Sequence, residues 1–275
     1  MNFKMKNAFT VDLEDWYQGI MLPIEEWHKY EKRLYIGTDR LLKLLKNAGV
    51  KATFFILAKI IEDHPEIIRQ IIDEGHEIGC HTYTHIPLFE MNAVSFETEI
   101  KKCNLLLADH YGIHYKGFRA PFFSIDHRSL WAMDVLKRNG YEYDSSIYPG
   151  DNKRTGIVGY RKDIHELDNK LIEAPLTTFK VLKFDVGLGG AYFRLLPYSY
   201  FRKKLLDLNK QHINGIFYIH PWELDPAHPY LKQLPPRLKY PHYLNLKSTE
   251  SKIKRLLSDF EFVSLSEIIS TRNAK

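Results

Sequence analysis

Short apolar runs alternate along the chain with stretches whose apolar residues recur at helical spacing, the pattern of strands joined by helical crossovers and so of a mostly parallel sheet or barrel. The first run is Ala8-Phe9-Thr10-Val11. Thr38 to Ala48 then reads as a helix, with Thr38 as cap, Leu41, Leu42, Leu44 and Leu45 as its apolar stripe and Gly49 as its stop. Ala52–Leu57 reads as a strand. Pro65 opens a helix carrying Ile67, Ile68, Ile71 and Ile72 that stops at Gly75, and Glu77–Cys80 follows as a short strand. The cycle continues with helix Ser95–His110, strand Gly117–Arg119, helix Arg128–Asn139 and strand Tyr143–Ser145. Further on come strand Leu171–Ala174, helix Pro197 to Gln211, strand Gly215–Ile219, and a terminal helix and strand around Ile253–Leu265. Pro221 to Leu246, rich in Pro, Tyr and His and without a clean period, reads as a long ordered loop. The economical architecture is an α/β fold, a distorted (β/α) barrel of about seven strands.

Length and composition narrow this further. The chain has 275 residues, 44% apolar and 27% charged, near the globular average, so disorder and fibrous folds are excluded and one large domain is expected. Its net charge of +5 is spread along the chain without a block of like charges, which gives no indication of nucleic acid but suits an anionic glycan. Two cysteines, Cys80 and Cys103, fall in an apparent strand and helix, as buried small residues do, and exclude a disulfide framework. The stretch Met1 to Asn7 runs straight into the first strand with no signal-like apolar segment, and no run is long enough to span a bilayer, so a cytoplasmic location is the expectation.

In parallel α/β folds ligands meet the carboxyl ends of the strands, so the residues there matter most. The first strand ends in Asp12-Leu13-Glu14-Asp15-Trp16, three acids whose crowding raises their proton affinity unless a cation is present; the plain reading is a solvated loop. His81 and His85 follow the strand Glu77–Cys80, and a helical turn there would set both imidazoles on one face, able to grip one ion. Two imidazoles and one carboxylate leave coordination positions open, as in catalytic rather than structural metal sites. Arg119 in Arg119-Ala120-Pro121-Phe122-Phe123 ends another strand and could hold a carboxylate ionised or form an ordinary salt bridge. Asp144 ends the next. His220, in Tyr218-Ile219-His220-Pro221-Trp222-Glu223, is either a hydrogen-bonded core residue or a general acid.

Taken in order, these motifs resemble the polysaccharide deacetylases with the NodB homology domain, carbohydrate esterase family 4. That family carries an Asp-bearing strand end, His-[Ser/Thr]-x-x-His, Arg-x-Pro, a later Asp and a Leu/Ile-x-His. Here these are Asp12-Leu13-Glu14-Asp15, His81-Thr82-Tyr83-Thr84-His85, Arg119-Ala120-Pro121, Asp144 and Tyr218-Ile219-His220. Gly189 to Arg194, His220-Pro221-Trp222-Glu223 and His242-Tyr243 further resemble a branch near the allantoinase-like and peptidoglycan-deacetylase-like members associated with exopolysaccharide production.

The resemblance implies a single domain over residues 1–275, with 221–275 as a family-specific C-terminal extension packed on the barrel. It implies hydrolysis of the N-acetyl group of an amino sugar in a poly- or oligosaccharide, with a divalent metal as cofactor: Zn2+ first, with Co2+, Ni2+ or Mn2+ as alternatives. Asp12 would be the base, His220 the acid, and Arg119 and Asp144 would orient them. His81 and His85 would bind the metal with Glu14 or Asp15; the chain has Leu13 where most members have a second Asp, and both carboxylates stay open. Trp16, Tyr83, Pro121, Phe122 and Trp222 would line the mouth or simply seal it. An N-acetylated saccharide is the expected partner, with no nucleic acid and no transmembrane segment; oligomeric state is not specified. A small-amide hydrolase of the allantoinase-like kind and a non-catalytic glycan-binding module are the competing readings.

Overall fold

The structure, a computed structural model, describes residues 5–151 and 154–273; the first four residues of the amino-terminal stretch read above lie outside them. It contains eleven strands: β1 (Lys6–Leu13), β2 (Thr53–Ile56), β3 (Glu77–Cys80), β4 (Gly117–Phe118), β5 (Tyr143–Asp144), β6 (His165–Glu166), β7 (Ile172–Glu173), β8 (Thr178–Val181), β9 (Phe184–Gly187), β10 (Ile216–Ile219) and β11 (Glu261–Val263). Nine belong to one sheet, eight along a single path with β11 paired to β1, and β8 and β9 form a separate ribbon. The α/β class stands, and the strand count exceeds the expected seven. The surplus comes from pieces such as the two-residue β6, too short to show any period. The chain divides into two compact units, Met1–Thr53 with Leu188–Lys275, and Phe54–Gly187.

In the first unit β1 pairs in parallel with β10, Thr10 opposite Tyr218 and Val11 opposite Ile219, and with β11 at its start. From its second residue onward β1 is buried on both faces, as a central parallel strand requires. Phe9, Phe193, Phe201 and Phe217 pack against one another with ring centroids 4.8–6.2 Å apart. The first helix runs Leu34–Ala48, a turn longer than the period indicated: Thr38 is no cap but sits inside, its hydroxyl bonded to the Leu34 carbonyl at 2.8 Å. Gly49 ends it at φ 67° as expected. Gly37 lets this helix meet the 3-10 turn Pro221–Leu224 backbone to backbone, since a Cβ there would fall 1.9 Å from the Pro221 carbonyl oxygen. Pro221 to Leu246 is therefore not one loop: it holds that turn and a helix, Pro236–Tyr243, whose prolines hid its period. The helix expected around Ile253 starts earlier, at Leu246, and after β11 a further helix, Leu265–Asn273, follows.

In the second unit β3, β4, β5 and β7 run parallel, and β6 closes antiparallel on β7. The isoleucine-rich helix Pro65–Asp73 is preceded by a short helix, Lys59–Asp63, the two being separated at His64. Asn92, rather than Ser95, caps helix Ala93–Tyr111; the two side chains exchange bonds with each other's backbone in a capping box. Cys80 and Cys103 are free and buried. Among the described residues no helix is long and apolar enough to cross a membrane.

Candidate active site

The parallel register of β1 and β10 decides what stands at their tips. Asp12 and Glu14, two apart and so on one side of the strand, both come near the imidazole of His220: its Nε2 is 3.9 Å from Asp12 Oδ2 and 4.0 Å from Glu14 Oε1. All three acids of the motif are buried, so the solvated-loop reading falls. His220 Nδ1 lies 2.8 Å from Glu223 Oε1. A carboxylate can only accept, so Nδ1 carries the proton and donates it to Glu223, while Nε2 faces the two acids. Burial works against charging this ring, but Glu14, Glu223 and Asp12 outweigh it and raise its pKa to about 9. Burial likewise opposes charge on Glu223, yet Arg194 and His220 hold that carboxyl down at about 2.

Asp15 has a different task. Its Oδ1 accepts from the Trp16 N–H at 2.8 Å, and its Oδ2 accepts from the N–H groups of Arg33 and Leu34 at 2.7 and 3.0 Å. Those are orphan donors at the start of helix Leu34–Ala48, so Asp15 is a helix cap supplied from outside the helix, which is why no side chain of residue 33 is needed there. Burial raises its pKa to about 6, the backbone donors only partly compensating.

In the second unit His81 ends β3, its Nδ1 2.7 Å from the Arg119 carbonyl oxygen. The carbonyl fixes the proton on Nδ1 and puts the lone pair on Nε2. His85 comes back to within 5.2 Å of His81, ring centre to ring centre. It does so without the helical turn inferred from the spacing: Thr82 and His85 are left-handed, at φ 66° and 59°. Glu99 braces this loop by accepting from the N–H groups of Tyr83 and Thr84 and from the Thr84 hydroxyl, at 2.8–3.0 Å. Arg119, fully buried, donates to the Ser145 carbonyl and hydroxyl at 3.1 and 3.0 Å and lies over the Phe55 ring. Asp144 accepts from the Ser146 N–H and hydroxyl and stands opposite Glu173 across the β5–β7 pair. Burial raises both carboxyls, Glu173 the more because Asp144 is beside it.

The aromatic residues expected at the mouth separate into two groups. Trp16 is 1% exposed, stacked on His228 and edged by Tyr17 and Tyr30, with its indole N–H on the Glu31 carbonyl. Trp222 is stacked between His220 and His242. Both seal the interior rather than offer a face to a sugar ring, and Pro121 is buried too. Phe122, half-buried, packs on His85 at 4.6 Å and carries Arg154 over its ring; Tyr83, also half-buried, donates to Glu62 at 2.8 Å. In sequence Glu223 and Arg194 stand out only as part of family-like stretches, and Glu99 not at all. A Glu three residues after a strand-ending His was the available signal for Glu223.

Glu14 in the first unit, and His81 and His85 in the second, are buried acid and imidazole side chains of the kinds that ligate a metal ion. The donor set suits a divalent cation: two neutral imidazoles, one with its tautomer fixed from behind, and one carboxylate. Fold and donors together define an α/β protein with acid and imidazole donors at its strand tips. Residues 36–143 match a family described as polysaccharide deacetylase, and residues 145–270 match a domain of unknown function, DUF3473. The chain is 34% identical to a peptidoglycan deacetylase-like protein of Gibberella zeae over 41% of its own length and 33% of that protein. It is 38% identical to the peptidoglycan-N-acetylglucosamine deacetylase of Bacillus cereus over 39% of its length and 44% of that protein. It thus spans a third to under half of these curated relatives. A solved structure from Mycobacterium smegmatis, placed provisionally by its description among polysaccharide deacetylases, matches with a TM-score of 0.67 at 19% identity, over 98% of this chain and 91% of that one. That likeness shows the fold, a distorted (β/α) barrel.

Proposed function

We propose that this protein is a metal-dependent deacetylase that hydrolyses N-acetyl groups of amino sugars in a poly- or oligosaccharide. The observation that carries the reading is the buried convergence of Asp12, Glu14 and His220, a carboxylate, a second carboxylate and a proton-bearing imidazole within 4.0 Å of that ring. A solvated loop or a plain apolar core would hold no such set. The match of residues 36–143, which contain His81, His85 and Arg119, supports the same reading, as do the names of the relatives.

The residues would divide the work as follows. Glu14, His81 and His85 would hold the cation, for which Zn2+ is the first choice on donor type. When bound, such an ion polarises a carbonyl and lowers the proton affinity of water. Asp12 would accept a proton from the attacking water, and His220 would give its Nε2 proton to the departing amine, a step typically worth ~10²–10⁴-fold. Glu223 would keep the His220 ring turned so that Nε2 faces the reacting groups. Arg119 and Asp144 would shape the second unit's strand tips. Phe122 and Tyr83 are the aromatic candidates for contact with a pyranose. Residues 221–275 would act as an extension of one domain rather than a separate module.

The test is acetate release from a panel of N-acetylated saccharides, with and without chelator. Chelator-sensitive release supports the proposal. No release from any saccharide, or release that chelator leaves untouched, overturns it; release from a small cyclic amide alone would favour the allantoinase-like reading.

A further inference from the structure

Arg194 is buried to 1% exposure, and each of its three side-chain nitrogens has a partner. Its Nε donates to Glu223 Oε2 at 2.5 Å. Its Nη atoms donate to three carbonyl groups where helix Pro236–Tyr243 closes: Pro241 at 2.6 Å, His242 at 3.3 Å and Leu244 at 2.5 Å. The backbone of Arg194 is gripped from the same side, its carbonyl accepting from Asn245 Nδ2 at 3.2 Å and Lys252 Nζ at 2.8 Å. Glu223 in turn takes Arg194 on one oxygen and, on the other, the backbone N–H and Nδ1–H of His220 at 3.0 and 2.8 Å. A carboxylate with both oxygens bound this way has a single orientation, and so does the ring it accepts from.

We infer that Arg194 is a positioning residue for the reaction: acting through Glu223, it fixes the ring of His220, and residues 241–252 of the domain of unknown function are thereby a working part of the centre. The inference rests on the proposed role of His220 as acid. Arginine is needed rather than lysine because one planar fork serves a carboxylate and three carbonyls at once, whereas an ammonium has three donors at a single point. The groups facing Arg194 are Glu223, His242, the backbone carbonyls named, the half-buried Lys252 ammonium and the Trp222 ring, over which its guanidinium lies.

The experiment compares wild type with Arg194→Lys and with the double variant Arg194→Met/Glu223→Gln, which removes both members of the buried pair and leaves no lone charge inside. Acetate release gives kcat and KM, metal analysis gives occupancy, and proton NMR of the metal-free protein reads the downfield resonance of the His220 Nδ1–H. The double variant should bind metal and keep its KM within about twofold, while kcat falls by about 100-fold and the downfield resonance moves upfield or vanishes. Arg194→Lys should fall between. Unchanged kcat, or a downfield resonance that persists in the double variant, overturns the inference. Should the double variant not fold, Arg194→Lys, which retains the buried charge, carries the same readouts. If wild type releases no acetate, the proposed function fails, and the resonance alone still decides whether Arg194 positions the ring.

Discussion

The Nδ1 of His220 and the Oε1 of Glu223 meet at 2.8 Å within one turn, and that contact sets the direction of the whole imidazole. Because the acceptor is a carboxylate, the ring presents Nε2 toward Asp12 and Glu14. The family resemblance implies Asp144 as an orienting residue; the carboxylate on the His220 ring is the neighbour that follows the strand, Glu223. Asp144 bonds Ser146 and faces Glu173.

Asp12→Asn should keep the metal and the fold but lower kcat by about 10²–10⁴-fold, the usual worth of a positioned base. The amide preserves shape and removes the proton acceptor. Metal analysis together with acetate release checks it, and wild-type turnover in this variant would take Asp12 out of the mechanism.

Glu14 and Asp15 should behave oppositely. Glu14→Ala should lose bound metal, with little change in melting temperature of the metal-free protein. Asp15→Ala should retain metal but destabilise the fold by about 1–2 kcal/mol, because backbone donors at the start of helix Leu34–Ala48 lose their acceptor. Metal content and thermal unfolding of each variant, measured side by side, separate the two roles.

His81→Ala should abolish both metal binding and acetate release, while His81→Gln should recover neither. Full metal occupancy in the alanine variant, by elemental analysis after desalting, would move the cation elsewhere.

Acid should weaken the protein partly through two histidines that the mechanism does not use. Burial pushes His242 down to about 3 and His228 to about 4, so both rings are neutral in the folded chain above those values. An unfolded chain protonates them near the ordinary value of about 6.5. Their contribution is therefore complete above that pH and is lost as pH falls toward 4, at up to about 1.4 kcal/mol per pH unit for each ring. His242→Phe, which keeps the stacking on Trp222, should flatten urea stability against pH between about 4 and 6.5. An unchanged slope would discount His242.

Much of the fold was legible because its helices and inner strands are long enough to repeat. The leucines at 41, 42, 44 and 45 and the isoleucines at 67, 68 and 71 are buried where the period put them. Glu77–Cys80 was placed to the residue. What the pattern could not carry were elements shorter than one period, such as β6, and the helix Pro236–Tyr243, where prolines occupy positions that local preference assigns to loops. At the site, residue types and order revealed Asp12, Glu14, His81, His85 and His220 as candidates. Two things lay beyond reach. Asp15 looks like a ligand in sequence because its partners, the N–H groups of Arg33 and Leu34, are backbone and leave no mark in side-chain spelling. The loop His81–His85 brings its rings together through left-handed residues, which spacing alone renders as a helical turn.

Gly37 has a further bearing on the acid. With no room for even a methyl group between it and Pro221, the helix and the turn holding Glu223 meet backbone to backbone. The vertical setting of Glu223, and of the imidazole leaning on it, is thus inherited from the bare peptide rather than from interlocking side chains. Exchanging apolar residues around that turn can change how firmly the protein folds, yet it leaves the acid's height above the sheet where a hydrogen atom at residue 37 has put it.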